Sequence, residues 1–353
     1  MLHEQTVMET IQKLPKAELY AHIEGAMSAE LMHELASRNG MRLASRKVSE
    51  LRAWYTQRGL MESLTVYHES LATLCTHDDF RDLALHYVEY AKRHNIRIAQ
   101  LAISPQLHMR RGVSFAAMLD GLLEGFQTAE DSLTVKLCLD IQRDLPVQDA
   151  LEVLTESAPY INAFCGLSMS GSQIGYDCTQ FEPIFERAHL YGLRCMVEAG
   201  TEAAPSDILH ALGSLHPSQI NNALHAADDE RVLRYLALAH MPVTLSPLAL
   251  EHKGDIHCID DMPLYSFLDA QVSLAMCSIA PELYGSLTEN YLALHQLGLS
   301  LNDIAELAVS AFDLLCDDDL EFMHYQRAVR DWQAEHTHSS LMPVTETLNE
   351  FRI

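Results

Sequence analysis

Short β-rich apolar runs recur along the whole of this 353-residue sequence, and the segments between them place apolar residues at helical three-and-four spacing. That alternation predicts repeated βα units. The candidate strands are Glu18–His22, Ile96–Leu101, Val135–Asp140, Phe164–Met169, Arg194–Glu198, Gln219–Leu224, Val243–Leu245 and Val272–Met276. Eight such strands fit an α/β fold of the (β/α)8 barrel type, in which functional groups come from the C-terminal strand ends. The stretch from about Ser28 to Thr76 reads as a helical insertion after the first strand, capping the barrel mouth with Leu51, Trp54 and Tyr55 as apolar anchors. The run from Phe80 to Lys92 has the spacing of an amphipathic helix.

The length suffices for one large core, so residues 1–353 are expected to form a single barrel domain. A formal charge of -25 with only 24 Lys and Arg argues against nucleic acid and anionic membranes as partners, because both require a basic surface. A small molecule is the expected partner; no protein partner is legible. The eight Cys include no C-x-x-C pair, and Cys138, Cys165 and Cys195 lie in apolar runs, so buried free thiols in a reducing compartment are expected. The opening Met1-Leu2-His3-Glu4-Gln5 has no basic n-region, and no apolar run reaches membrane-spanning length, which predicts a cytoplasmic protein. Asp317 to Glu321, followed by Arg327, Arg330 and Trp332, predicts a charged C-terminal helix on the outer ring with no role in the site.

Five blocks narrow the function. Leu14-Pro15-Lys16-Ala17-Glu18-Leu19-Tyr20-Ala21-His22-Ile23-Glu24-Gly25 is similar to the L-P-K-x-E-L-H-x-H-[LI]-[DE]-G opening of the adenosine/adenine deaminase family. Glu198-Ala199-Gly200-Thr201-Glu202 stands for H-A-G-E-E, Gln219 to Ala223 for R-I-[GD]-H-G, and Val272 to Ser278 for V-T-[LV]-N-[ST]-D-D. Pro281 to Tyr291 is similar to P-x-x-F-G-x-x-x-T-E-N-[FY]. The chain thus resembles that family from about Leu14 to Phe312, and Glu24, Pro105-Gln106 and His108 lean toward its adenine-deaminase branch.

The resemblance implies a zinc-dependent purine aminohydrolase. In such an enzyme the metal lowers the pKa of its bound water to about 7 and a carboxylic acid protonates the ring nitrogen. By the family pattern, two strand-1 His, the His of H-A-G-E and the first Asp of D-D hold the metal. The matching positions here are Tyr20, His22, Glu198 and Cys277 or Ser278, so one ligand is kept as written. The acid position is Thr201 and the hydroxide-orienting position is Asn222, neither of which carries a titrating proton near neutral pH. The expectation is therefore a catalytically degenerate relative with no metal cofactor, in which Tyr20, His22 and Glu198 form a polar cluster. It would keep a pocket for a small molecule, a purine base or nucleoside among the candidates, with Glu24, Gly171, Gln173, Gly175 and Ser278 as binding positions. Ser168 and Gln173 stand where the family's fourth strand block carries acids, and Gln100 and Ser104 replace acids of the second. The alternative is a hydrolytic deaminase or amidohydrolase using a zinc site of His22, Glu198 and Cys277, or a Cys277 nucleophile with His22 as base and Glu198 as its orienting partner. A third reading is an interaction protein with a vestigial pocket.

Overall fold

Eight parallel strands pair in chain order: β1 (Lys16–His22), β2 (Ile96–Ile103), β3 (Thr134–Gln142), β4 (Phe164–Ser170), β5 (Arg194–Glu198), β6 (Gln219–Asn221), β7 (Val243–Leu245) and β8 (Leu274–Met276). The ring closes where the His22 N–H donates to the Ile279 carbonyl at 2.8 Å, beside a parallel bridge between Ala21 and Ile279. This (β/α)8 barrel comes from a computed structural model that describes residues 2–337. Residue 1 and residues 338–353 of the expected domain lie outside the described residues.

β2 reads as a near-continuous apolar run because a barrel strand is covered on one face by helices and on the other by the barrel interior, whereas β3 alternates apolar Val135, Leu137, Leu139 and Ile141 with polar Lys136, Asp140 and Gln142. Ile98, Leu101, Leu139 and Ile141 are all buried. Two strands are shorter than expected. β6 stops at Asn221 because Asn222 turns into the left-handed region (φ 54°), and Leu224–Asp228 coils into a short 3₁₀ helix. β8 begins at Leu274 rather than Val272.

A helix not anticipated from the sequence, α1 (Leu2–Lys13), precedes the barrel and buries Val7 and Ile11. The insertion after β1 supplies α2 (Ala29–Arg38), α3 (Val48–Tyr55) and α4 (Leu60–Ala72). Ser28 caps α2 by accepting from the Leu31 N–H at 3.2 Å. Of the expected anchors Leu51 and Tyr55 are buried and Trp54 is half-buried against the core. The amphipathic helix spans His77–Arg93 and opens on a capping box of Thr76 and Asp79.

The charged helix Asp319–Thr337 lies on the helix Leu301–Leu315, where Tyr325 stacks on Phe312 at 4.7 Å and Arg330 pairs with Glu306. Its Trp332 indole donates to the Thr10 carbonyl at 3.0 Å, tying the chain's end to α1. All eight Cys are free thiols, but Cys165 is partly exposed rather than buried, because the pairing of β3 with β4 slips at this residue. Among the described residues, no helix is long and apolar enough to cross a membrane.

Candidate functional site

The C-terminal strand ends converge on a cavity of about 420 Å³ roofed by α4. Leu60, Met61, Leu64, Tyr67 and His68 of α4 form the roof, Leu283 and Tyr284 one side, and His22, Gln142, Ser170 and Glu198 the polar floor. The insertion therefore closes the mouth as its position after β1 predicts.

β1 is bent to serve this floor. Tyr20 adopts φ 60°, and the pairing with β2 slips between Glu18 and Ala21, a bulge that re-aims the strand end. Left-handed backbone at a buried aromatic is strained, and such strain collects at functional strand ends; Asn222 (φ 54°) and Ile279 (φ 59°) repeat it nearby. Gly25 lets the turn after β1 meet the segment after β8, since a Cβ there would stand 2.5 Å from the Cβ of Ala280.

At the floor the Tyr20 hydroxyl donates to Glu198 Oε2 at 3.3 Å and lies 3.1 Å from His22 Nε2. With its proton toward Glu198, the phenol oxygen accepts from His22, which places the imidazole proton on Nε2. Among the described residues His22 Nδ1 has no hydrogen-bond partner, and it stands 4.0 Å from Asp140 Oδ2. Tyr20 thus joins His22 of β1 to Glu198 of β5, with Asp140 of β3 beside the imidazole and not hydrogen-bonded to it. Burial pushes Tyr20 well above the usual phenol range, reinforced by the carboxylates of Glu198 and Asp140. The phenol is therefore neutral and acts as a donor.

Glu198 is held further by the Asn222 side-chain amide at 3.4 Å, with the Lys253 ammonium 4.0 Å away. Burial opposes the charge on Lys253, but Glu198 and Asp255 outweigh it and hold this lysine above its ordinary value. Thr201 spends its hydroxyl proton on the Asn222 carbonyl at 2.5 Å, and lies 3.4 Å from Glu198 Oε1. Asp140 is pushed up to about 6 by burial, against the pull of His22 and the hydroxyls of Ser170, Ser104 and Ser168. Its Oδ2 accepts from Ser104, Gln142 and Ser170 at 2.6–3.0 Å, while Oδ1 is buried with no partner among the described residues.

Of the expected binding positions, Gly171 lines the cavity, with φ 93° and no room for a Cβ beside Asp144. Gln173 Oε1 accepts instead from the Thr201, Glu202 and Ala203 N–H groups at 3.0–3.4 Å, ordering the loop after β5. Glu24 is buried beneath the mouth, accepting from the Ser104 N–H at 2.9 Å and His108 Nε2 at 3.1 Å. Ser278 turns its N–H to Glu18 Oε1 at 2.8 Å, and Gly175 sits in an open turn off the cavity wall. Cys277 is buried in an apolar cluster with Tyr20, Ala102, Ala249 and Ile279; burial pushes its thiol far up, and no hydrogen bond joins it to His22.

The donor set can be tested against a zinc ion. The phenol oxygen stands within hydrogen-bonding distance of both His22 Nε2 and Glu198 Oε2, so it fills the space the two would share around a metal. Among the described residues, no three His, Cys, Asp or Glu side chains are grouped to hold an ion. The residues present do not fit the family's metal.

Two contributors escaped the sequence reading. Asp140 closes the expected third strand, Val135–Asp140, which in the structure runs from Thr134 to Gln142, and that position was its only signal. Lys253 lies on the helix Pro247–Lys253 after β7, where nothing in the sequence marks it as the partner of Glu198.

The chain matches the adenosine deaminase family over residues 15–319. It is 32% identical over 308 residues to an adenine deaminase of Chlorobium phaeobacteroides, covering 86% of this chain and 92% of that one. The crystal structure of an adenine deaminase from Arthrobacter aurescens superposes with a TM-score of 0.87 at 29% identity, over 91% of this chain and 99% of that one. An amidohydrolase from Burkholderia ambifaria with bound Zn superposes with a TM-score of 0.85 at 18% identity, over 94% of each chain, a likeness of fold.

Proposed function

We propose, from the premise that the chain belongs to the adenosine deaminase family, that it is a member that has exchanged metal-assisted hydrolysis for ligand binding at the barrel mouth. The observation that carries this reading is the Tyr20 hydroxyl placed between His22 Nε2 and Glu198 Oε2. A Zn²⁺ ion would supply a hydroxide near neutral pH; in its place stands a neutral phenol. The positive charge that would offset Glu198 comes instead from Lys253 and from the donors around it. The acid position, Thr201, holds a hydroxyl committed to a backbone carbonyl and has no proton to deliver to a ring nitrogen.

The proposed ligand is a small nitrogen heterocycle, a purine base or nucleoside first among them, bound in the 420 Å³ cavity. Tyr67, Tyr284 and the apolar side chains of α4 offer faces for a flat ring. Gln142, Ser170, Ser172, Glu198 and Glu202 offer polar atoms for its edge, with Gly171 leaving room beside them. Cytoplasmic location and a single barrel domain are parts of the same proposal. Relatives carry the name adenine deaminase, so an active enzyme with a different metal site is the competing reading. A thermal-shift panel of nucleobases and nucleosides, run beside an ammonia-release assay, tests the proposal. Saturable stabilisation by a purine without ammonia release supports it; ammonia release that scales with protein and vanishes in Glu198→Ala contradicts it.

A further inference from the structure

A second constellation lies away from the barrel mouth. Cys138 Sγ on β3 and Cys165 Sγ on β4 are 3.3 Å apart, within reach for one thiol to donate to the other. Strand pairing explains the approach. Leu137 pairs with Phe164 but Cys138 pairs with Gly166, so Cys165 is the extra residue of a bulge. An extra residue breaks the alternation of faces, and here it leaves Cys165 partly exposed beside the buried Cys138.

The two sulfurs are chemically unequal. The hydrogen bond from Cys138 lowers Cys165, burial acts against it, and Arg194 and Lys136 add to the lowering. Burial raises Cys138. Both cations are fixed at this end of the barrel: Lys136 Nζ pairs with Asp317 Oδ1 at 2.7 Å and donates to the Leu315 carbonyl, and Arg194 reaches the Leu314 carbonyl at 3.5 Å. A partly exposed thiol near two cations, with a second thiol against it, is the arrangement of an oxidisable pair.

We propose that Cys138 and Cys165 are a peroxide-oxidisable dithiol that closes a disulfide between β3 and β4, independently of what the barrel mouth binds. The Cys165 sulfur attacks one oxygen of hydrogen peroxide and breaks the O–O bond, giving a sulfenic acid and one water. The Cys138 sulfur then attacks the Cys165 sulfur; the S–O bond breaks, the S–S bond forms and the second water leaves. Two thiols lose two electrons and two protons, and hydrogen peroxide is reduced to two waters. Bringing the sulfurs from 3.3 Å to the bond length of about 2.05 Å takes a movement of about 1.3 Å. Among the described residues this is the only thiol pair at hydrogen-bonding distance. Cys138 shares a face with Asp140 two residues on, so the bond would tie the strands one layer below the mouth.

The test uses the reduced full chain treated with a few-fold excess of hydrogen peroxide, then unfolded, alkylated, digested without reductant and mapped by mass spectrometry. Two of the eight thiols should be lost, with one cross-linked species joining Cys138 to Cys165, two hydrogens lighter than the separate peptides and reopened by a dithiol reductant. In Cys165→Ser the cross-link should vanish and Cys138 should stay alkylatable; should that variant not fold, the wild-type map decides alone. Eight intact thiols, a link from either Cys to Cys178 or Cys316, or sulfinic acid on Cys165 beside an alkylatable Cys138 would each overturn the proposal.

Discussion

The Tyr20 hydroxyl donates to Glu198 Oε2 at 3.3 Å across the barrel mouth, joining β1 to β5 through a phenol. Replacing it by Tyr20→Phe leaves His22 Nε2 and Glu198 Oε2 without their shared partner in a buried setting, and should cost about 1–3 kcal/mol of stability. Glu198→Gln should cost less, because the amide keeps an acceptor for Asn222 and the phenol can rotate to accept. Denaturant unfolding of the two variants checks the order. A Tyr20→Phe protein as stable as wild type would mean that the phenol is not holding the carboxylate.

Glu18 sets a pH dependence. Burial pushes its carboxyl up to about 8, with the Ser278 N–H pulling the other way, and its Oε2 has no partner among the described residues. The folded chain then keeps a proton that the unfolded chain releases near 4.5, so stability falls as pH rises from about 4.5 to about 8. Glu24 shifts in the opposite direction, and its contribution is lost only below its ordinary range. Glu18→Gln keeps the acceptor for Ser278 and removes the titration. Between pH 5 and 8.5 the difference in stability, variant minus wild type, should grow by about 2–4 kcal/mol. A pH-independent difference would contradict the assignment.

Cys277 should be an inert thiol. Burial raises it and its neighbours are apolar, whereas a nucleophile needs a lowered thiol within reach of a base. Timed alkylation of the native protein at pH 8, read by mass spectrometry, should label the exposed Cys75 well before Cys277. Faster labelling of Cys277 would revive the thiol-hydrolase alternative.

Much of this arrangement was legible in the sequence, and the misses have physical causes. Arg194–Glu198 and Val243–Leu245 were placed to the residue, since apolar runs ended by Ala-Gly and Ser-Pro leave little freedom. The Tyr20, His22 and Glu198 cluster followed from strand ends and the family pattern. Asn222 read as a continuing strand residue because its left-handed backbone answers to packing against β7, which is invisible locally. Lys253 and the sulfur pair of Cys138 and Cys165 depend on which chain positions become neighbours across strands and on a register slip. Spacing along one strand carries no trace of either.

Restoring one ligand should not restore turnover. Tyr20→His returns the second imidazole of the first strand, yet leaves Glu198, Thr201, Asn222 and the pair Cys277 and Ser278 unchanged. Groups that act as a unit lose and regain activity together. Ammonia release from adenine or adenosine by this variant should stay at background. Measurable turnover would show that the site is one residue from function.

Zinc content tests the central claim most directly. Protein purified without chelator and analysed by elemental mass spectrometry should carry far less than one Zn per chain, because the Tyr20 hydroxyl fills the space between His22 and Glu198. Close to one Zn per chain, lost in His22→Ala, would contradict the hydrogen-bonded cluster and return the chain to metal-dependent chemistry.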